Sequence, residues 1–307
     1  MTKLDKYKGV IPAFYACYDD EGNISPERIQ MLAKHYLEVG VKGLYVGGSS
    51  GECIYQTVEE RKLVLENVME AVGGKMTIIA HVAAPSTQQS IELAQHAESL
   101  GVDALAAIPP IYFRLPEAAI AAYWNDIMDS TDLDFIVYNI PGTTGYALTP
   151  TLLKQLVKND KVIGVKNSSM PVQDIYLFKN NIKDDFIVFN GPDEQFVGGR
   201  VMGADGGIGG TYGAMPELFL AADHAIRHNN MDLAREIQYR INDIIFSFFE
   251  CEGNMYDVIK LILAKRDLNI GRARKPLQPA TEADRAKIDA IAANINAAVA
   301  QYKPVYA

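Results

Sequence analysis

The sequence is poor in cysteine and has no long apolar run, and both shortages narrow what the protein can be. The three cysteines, Cys17, Cys53 and Cys251, are odd in number and far apart, which fits neither a disulfide framework nor a zinc cluster. No uninterrupted apolar stretch approaches the roughly 20 residues that span a bilayer, and residues 1–8 have no apolar core of signal-peptide length. We therefore expect a soluble, reduced, cytoplasmic protein without a membrane partner.

Basic residues are also in short supply. The chain has 29 lysines and arginines against 38 aspartates and glutamates, which gives a formal net charge of −9. Apart from the short group at 272–275, no cluster of lysine and arginine offers a surface for phosphates. We expect no nucleic-acid partner. An anionic substrate would need a local pocket of hydrogen-bond donors, because the overall field repels it.

Eight short apolar segments recur along the chain, with helical patterns between them. They lie at 10–15, 43–48, 77–82, 104–109, 135–140, 162–167, 186–191 and 206–211. Segments that are apolar throughout, rather than alternating, are typical of parallel strands covered on both faces. Eight strand–helix units without a long polar linker predict an α/β fold of the (β/α)₈ TIM barrel type rather than an open doubly wound sheet.

The boundaries of the predicted helices carry recognisable signals. Ser25 stands as an N-cap before a first-turn proline, and Gly40 follows the last residue of that helix. Thr57 and Glu60 have the spacing of a capping box. These signals place helices between the strands.

The chain is organised differently after residue 230. Strand signals stop there, and helical spacing continues over 231–250, 255–265 and 281–300. We therefore predict two parts, a barrel with the active site over 1–230 and a C-terminal helical extension over 231–307.

Lys166 ends an apolar run, where an ammonium group is poorly solvated. Burial lowers the pKa of a lysine, and the neutral amine can attack a carbonyl carbon. Tyr138 ends the preceding strand segment and could carry a proton. The alternatives are that the Lys166 amine extends to water, and that Tyr138 is a core aromatic whose hydroxyl bonds a carbonyl.

Hydroxyls and flexible backbone follow the second strand segment. Ser49, Ser50 and the neighbouring backbone N–H groups could cradle a substrate carboxylate. The same run matches the G-x-S-x-G nucleophile elbow of serine hydrolases, with His224 and His228 downstream. Since reactive groups of β/α barrels lie at the C-terminal ends of strands, we expect these serines to meet Lys166 there.

Three weaker signals have competing interpretations. Asp193 and Glu194 follow the seventh strand segment and could bind substrate or interact with a helix macrodipole. The glycines of 206–210 could bind phosphate or form a tight turn with positive φ. His224 and His228 have the spacing of two metal ligands on a helix, but no carboxylate partner follows, so we expect no metal site.

The most specific stretches are 43–52 (GLYVGGSSGE), 138–141 (YNIP), 164–166 and 203–211 (GADGGIGGT). In this order they resemble the pyruvate-dependent class I aldolases of the N-acetylneuraminate lyase and dihydrodipicolinate synthase family, over essentially the whole chain. Together with 79–82 and 190–194, they are most similar to the sialic acid lyase branch. The synthase branch has an arginine shortly after its YN-x-P motif, whereas Gly-Thr-Thr follows here, which argues against a dicarboxylic product.

The resemblance implies an activity and roles for the site residues. Lys166 would form a Schiff base with C2 of the open-chain keto acid, and Tyr138 would move the proton for cleavage of the C3–C4 bond. The residues implied to bind substrate are Ser49 and Ser50 for the carboxylate, and Ser168, Gly191, Asp193, Glu194 and Gly210 for the sugar part. The implied reaction cleaves N-acetylneuraminate (sialic acid) to N-acetylmannosamine and pyruvate without a metal or organic cofactor, in a homotetramer.

Two positions depart from the family pattern, and other functions stay open. Gly210 stands where the lyases often have serine. Tyr112 is one position later than a tyrosine that family members lend across a subunit interface to a proton relay.

The nearest alternative is the same chemistry on another 2-keto acid, either dihydrodipicolinate synthase-like or on a keto-deoxy sugar acid. A Ser49 hydrolase and a catalytically silent keto-acid binder are alternatives from other classes.

Overall fold

A computed structural model of the chain describes residues 3–180 and 182–306. It contains an eight-stranded parallel sheet in which each strand pairs with its neighbours in chain order and the first pairs with the last. The strands are β1 (Val10–Pro12), β2 (Gly43–Val46), β3 (Thr77–His81), β4 (Ala104–Ala107), β5 (Asp134–Asn139), β6 (Val162–Asn167), β7 (Ile187–Asn190) and β8 (Gly206–Gly209). A parallel bridge between Ala13 and Tyr45 joins β1 to β2 and closes the barrel. The predicted TIM barrel is confirmed.

Helices cover the outside of the barrel and continue beyond it. They are α1 (Pro26–Val39), α2 (Val58–Val72), α3 (Thr87–Ser99), α4 (Glu117–Asp129), α5 (Pro141–Thr144), α6 (Pro150–Leu156), α7 (Gln173–Asn180), α8 (Phe196–Val201), α9 (Pro216–Arg227), α10 (Met231–Phe248), α11 (Met255–Ala264) and α12 (Arg285–Tyr302). The predicted boundary signals are confirmed: Ser25 caps α1, Thr57 and Glu60 form a capping box, and Gly40 ends α1 with a φ of 89°.

The interior of the barrel is packed with side chains that alternate along the strands. Ile11, Ile79, Ile136 and Ile208 belong to one buried cluster inside the sheet. Because side chains alternate with a period of two, Tyr138 faces the same interior two residues after Ile136. This alternation places the Tyr138 ring inside the barrel, near the C-terminal ends of the strands.

The three C-terminal helices pack against the barrel helices. Ile237 and Ile241 of α10 and Ile259 of α11 lie in the same buried cluster as the outer layer of the barrel. The division of the chain at residue 230 stays a prediction. Within the described residues, no helix combines the length and apolar character needed to cross a membrane.

Candidate active site

Lys166 lies near the end of β6, beside its register partner Tyr138 on β5. Its side chain is buried, with Nζ 3.9 Å from the centre of the Tyr138 ring and 4.5 Å from that of Tyr45. Aromatic faces attract an ammonium ion, but burial is the larger effect and lowers the pKa of Lys166 to about 7, while the charge of Asp193 opposes this. A neutral amine is therefore present near pH 7, and the alternative in which it extends to water is wrong.

The Tyr138 hydroxyl interacts with two serines. It forms hydrogen bonds with the side chains of Ser49 and Ser168, which come from the loops after β2 and β6. Burial raises the pKa of Tyr138 to about 12, and these two hydrogen bonds oppose the change. The phenol therefore keeps its proton at neutral pH and can donate it. The alternative in which this hydroxyl only bonds a core carbonyl is wrong.

The predicted carboxylate loop forms a short 3₁₀ turn, Ser49–Gly51, directly after β2. Ser50 is buried and its Oγ lies 3.4 Å from the Tyr256 Oη, whereas Ser49 lines a cavity of about 700 Å³. The cavity also contacts Tyr256 and Thr143 but is lined by neither Ser50 nor Lys166, so it opens beside Ser49. Substrate entering it would meet the Ser49 hydroxyl.

The geometry does not support a serine hydrolase. Ser49 hydrogen-bonds the Tyr138 phenol, while the rings of His224 and His228 stack on each other, 3.9 Å apart, on the last turn of α9. His81 lies nearer, but its Nδ1 contacts the Gly47 carbonyl at 2.8 Å. None of these histidines is a general base for Ser49. Among the described residues, no cluster of three or more His, Cys, Asp or Glu side chains could hold a metal ion.

The Asp193 side chain is buried, and only one of its two carboxylate oxygens has a hydrogen-bond partner among the described residues. Its Oδ2 accepts hydrogen bonds from the Thr211 backbone N–H at 2.6 Å and the Thr211 Oγ1 at 2.5 Å. Its Oδ1 has no hydrogen-bond partner among the described residues. Burial raises the pKa of Asp193 to about 7, against the two bonds from Thr211. Asp193 also lies in the first turn of a 3₁₀ helix, so the macrodipole alternative stays open beside its bonds to the loop after β8; a substrate hydroxyl could satisfy its second oxygen.

The glycines of the site make room for polar side chains. A Cβ on Gly209 would lie 2.0 Å from the Asp193 Oδ1, and one on Gly191 would lie 2.0 Å from the Ser168 Oγ. Positions 206–209 form strand β8 itself, and none of its glycines has a positive φ. The alternative of a tight turn is therefore wrong, and close packing explains the run better than a phosphate site.

The remaining predicted site residues, Gly210, Glu194 and Tyr112, lie in three different environments. Gly210 lies beside the carboxylate loop, since an added Cβ would be 3.1 Å from the Ser50 Oγ. Glu194 follows Asp193 in a 3₁₀ turn and is half-buried. Tyr112 is 92% exposed, has a φ of 82° and packs on Phe113. Tyr112 is therefore not brought into the site of its own chain.

Three residues of the site are not predicted from the sequence. Tyr45 lies inside the strand that leads to Ser49, and Thr211 directly follows the glycine run, so each had a positional signal. Tyr256 lies on α11, in a segment that carries only helical spacing. Tyr256 contacts Ser50, which lies in a loop about two hundred residues earlier. No local pattern in the sequence predicts this contact.

The sequence and the fold can be compared with those of known proteins. The model of the dihydrodipicolinate synthetase family matches residues 6–295. N-acetylneuraminate lyase of Mediterraneibacter gnavus is 60% identical over 92% of this chain and 91% of that protein. N-acetylneuraminate lyase of Clostridium perfringens is 32% identical over 90% of this chain and 95% of that protein. The structure of a catalytic lysine mutant of Ruminococcus gnavus sialic acid aldolase superposes with a TM-score of 0.97 at 57% identity, covering 98% of this chain and 100% of that one.

Proposed function

The chain belongs to the dihydrodipicolinate synthetase family, and from this we propose that it is a Schiff-base lyase that cleaves N-acetylneuraminate to N-acetylmannosamine and pyruvate. The observation that carries the proposal is the Lys166 amine, which is buried between two tyrosine rings and has a pKa lowered to about 7. The 60% identity to an N-acetylneuraminate lyase supports the choice of substrate.

The first chemical step joins Lys166 to the substrate. The neutral amine attacks C2 of the open-chain keto acid, and loss of water from the carbinolamine leaves a protonated Schiff base. Ser49, Ser50 and the backbone N–H groups of their turn hold the substrate carboxylate beside that carbon. These local donors are needed because the chain carries a net charge of −9, which repels an anion at long range.

The second step breaks the C3–C4 bond. The C4 hydroxyl loses its proton, C4 becomes the aldehyde carbon of N-acetylmannosamine, and the bonding electron pair moves into the iminium to form an enamine of pyruvate. Tyr138, hydrogen-bonded to Ser49 and Ser168, is protonated and relays this proton: its oxygen takes up the C4 hydroxyl proton as its own phenolic proton moves toward C3. Protonation of the enamine at C3 and hydrolysis of the imine by water then release pyruvate and restore the Lys166 amine.

We assign the sugar end of the substrate to the loops after β6, β7 and β8. The Asp193 Oδ1, which has no hydrogen-bond partner among the described residues, can accept a hydrogen bond from a sugar hydroxyl. Glu194, Ser168, Gly191 and Gly210 lie on the same loops. Asp193 can accept such a bond and still keep its two bonds from Thr211.

Substrate turnover tests the proposed function directly. Incubation with N-acetylneuraminate should release pyruvate, measured by coupled oxidation of NADH with lactate dehydrogenase, and N-acetylmannosamine, identified by mass spectrometry. The alternative 2-keto acid reactions are tested with a panel of keto-deoxy sugar acids and with pyruvate plus aspartate semialdehyde. Turnover of one of these alternatives, with none of N-acetylneuraminate, would overturn the choice of substrate.

The lowered pKa of Lys166 gives an expected pH dependence. Only the neutral amine forms the Schiff base, so the initial rate of modification by pyruvate should rise with pH and level off above about 7, rather than near the ordinary value of 10.5. Timed borohydride quenching followed by mass spectrometry of the Lys166 peptide measures this rate. A rate that keeps rising to pH 10 would contradict the lowered pKa.

An Asp193→Asn variant separates the two causes of that pKa. Asparagine removes the negative charge that raises the pKa of Lys166 but leaves its burial, so the midpoint of the profile should move to lower pH. A midpoint that stays at the wild-type value would show that the Asp193 charge does not act on Lys166.

We further propose that the chain assembles as a homotetramer in the cytoplasm. Tyr112 and Phe113 are 92% and 72% exposed, and two adjacent exposed aromatic rings are suited to a subunit interface. Cys17 is a buried free thiol, which suits a reducing compartment. Light scattering of the purified protein should give about four times the chain mass of 33.8 kDa. A mass equal to one chain would contradict the assembly.

A further inference from the structure

We propose that helix α11 of the C-terminal segment positions the loop that binds the keto-acid carboxylate. Two side chains of α11 contact this loop, Tyr256 at Ser50 and Lys260 at Glu52. Tyr256, Lys260 and Glu52 are then positioning residues of the active site. The inference rests on the proposed function, because it is that function which makes the loop a carboxylate site.

Glu52 ends the loop in a conformation that has to be held in place. Its φ of 53° and ψ of 32° lie in the left-handed region, which residues other than glycine seldom adopt. Both carboxylate oxygens are occupied: Oε1 lies 2.6 Å from the Lys260 Nζ, and Oε2 accepts the Arg274 backbone N–H at 2.8 Å. These contacts hold the residue that directly follows the Ser49–Gly51 turn.

Lys260 is a single cation on the buried, apolar face of α11. Its side chain and that of Glu52 are both 0% exposed. The Lys260 Nζ also donates to the Arg272 carbonyl at 3.1 Å and lies 4.6 Å from the centre of the Tyr18 ring. Burial lowers the pKa of Lys260, and the adjacent Glu52 carboxylate opposes this. A buried pair with its remaining hydrogen bonds satisfied allows one geometry and so specifies the path of the loop.

Tyr256 lies one turn before Lys260 on the same face of α11. Burial raises the pKa of Tyr256 to about 12, against its hydrogen bond with Ser50, so the phenol stays protonated. Gly210 lies beside this contact: an added Cβ would be in tight contact with the Ser50 Oγ, at 3.1 Å, and in ordinary contact with the Tyr256 Oη, at 3.5 Å. The Ser50 Oγ donates to the phenol oxygen at 3.4 Å, so the phenol fixes the position of the Ser50 side chain in the carboxylate loop.

If Tyr256 positions the carboxylate loop, its loss should affect only the binding of ligands that carry a carboxylate. Loss of the Tyr256 hydroxyl leaves Lys166, Tyr138 and the carbonyl site unchanged. Binding of pyruvate should weaken, while binding of a ketone without a carboxylate should not. A general loss of folding would instead change both.

The test is a Tyr256→Phe variant, with timed borohydride trapping of Lys166 by pyruvate and by hydroxyacetone, which has no carboxylate. The half-saturating pyruvate concentration should rise about three- to tenfold, the range expected for one hydrogen bond, with the maximal trapping rate nearly unchanged. Trapping by hydroxyacetone should match the wild type. Tyr239→Phe, an exposed position on α10, is the matched control and should match the wild type with both ketones.

Each outcome separates this inference from the proposed function. A wild-type protein that neither ketone modifies would contradict the Schiff-base function itself. A trapped wild type with an unchanged half-saturating pyruvate concentration in Tyr256→Phe would overturn the role of α11. So would an equal change for both ketones.

A charge-neutral replacement of the buried pair tests the second contact. Glu52→Gln with Lys260→Met removes both charges together and should raise the half-saturating pyruvate concentration about tenfold, the change that accompanies about 1.4 kcal/mol. The matched control is Asp205→Asn with Lys179→Met, which removes the partly buried pair at the opposite end of β8, where Nζ and Oδ2 are 2.6 Å apart. That control should lower the melting temperature without affecting pyruvate binding. A folded Glu52–Lys260 variant with wild-type pyruvate binding would overturn the inference, and Tyr256→Phe decides the matter if the double variant does not fold.

Discussion

Replacing Lys166 with alanine is expected to lower kcat for N-acetylneuraminate cleavage by about 10⁵-fold or more, the scale on which loss of a covalent nucleophile acts. The amine forms the covalent bond that turns C2 into an electron sink, and the structure offers no second lysine at that position: Lys166 alone lies between Tyr45 and Tyr138 among the described residues. The measurements are coupled pyruvate release and mass spectrometry after borohydride treatment with pyruvate. The wild type should gain a reduced pyruvyl group on the Lys166 peptide.

The control for this result is Lys154→Ala, which removes an exposed lysine on α6. It should keep wild-type turnover and full modification of Lys166. Lys166→Ala should remain folded, with an unchanged circular dichroism spectrum, because alanine at a strand end leaves the paired backbone intact. An active Lys166→Ala protein, or a pyruvyl group on a different lysine of the wild type, would rule out the assigned nucleophile.

Replacing Tyr138 with phenylalanine is expected to lower kcat by about 10²- to 10⁴-fold, the range for loss of a general acid–base group. The phenol is the group that connects Ser49 and Ser168 beside the Lys166 amine, and phenylalanine keeps the ring that packs on that amine. Formation of the Schiff base should persist, because the nucleophile and its buried environment remain. Steady-state turnover and borohydride trapping on the same sample measure the two effects separately.

The matched control is Tyr7→Phe at the other end of the barrel. Its hydroxyl donates to the Asp103 carbonyl at 2.7 Å, so its loss removes a buried tyrosine hydrogen bond far from the chemistry. This control should lose some thermal stability and keep its kcat. If Tyr138→Phe retained wild-type turnover, the proton would have to move through another group. If it lost trapping as well, Tyr138 would act earlier, in Schiff-base formation.

The barrel and its chemical centre follow from local patterns. Strands buried on both faces have to be apolar throughout, so the eight apolar segments could be located without knowing how they pair. The C-terminal ends of the strands lie at the face where barrels carry their reactive groups, which is why Lys166 could be predicted together with Tyr138. Residues 162–167 were predicted as a strand and form β6 with the same bounds.

The patterns fail where a residue acts through partners distant in sequence. Segment 206–211 was predicted as a strand and 206–209 form β8, but only the structure shows that its glycines make room for Asp193 and for the ring of Tyr212. The relay role of Tyr112 needs a partner subunit and stays a prediction; within its own chain the side chain is 92% exposed. A short motif carries no information about such neighbours.

The order of apolar segments, the helix caps and the reactive lysine were therefore contained in the amino-acid sequence, because each depends on contacts within a few residues. The tertiary structure alone decided how the proposed carboxylate loop is held. Glu52 and Lys260 are 208 positions apart, and they pair only because the closed barrel brings α11 over the end of β2. Because both side chains are buried, this long-range contact has a fixed geometry. The pattern of residues along the chain gives no sign of it.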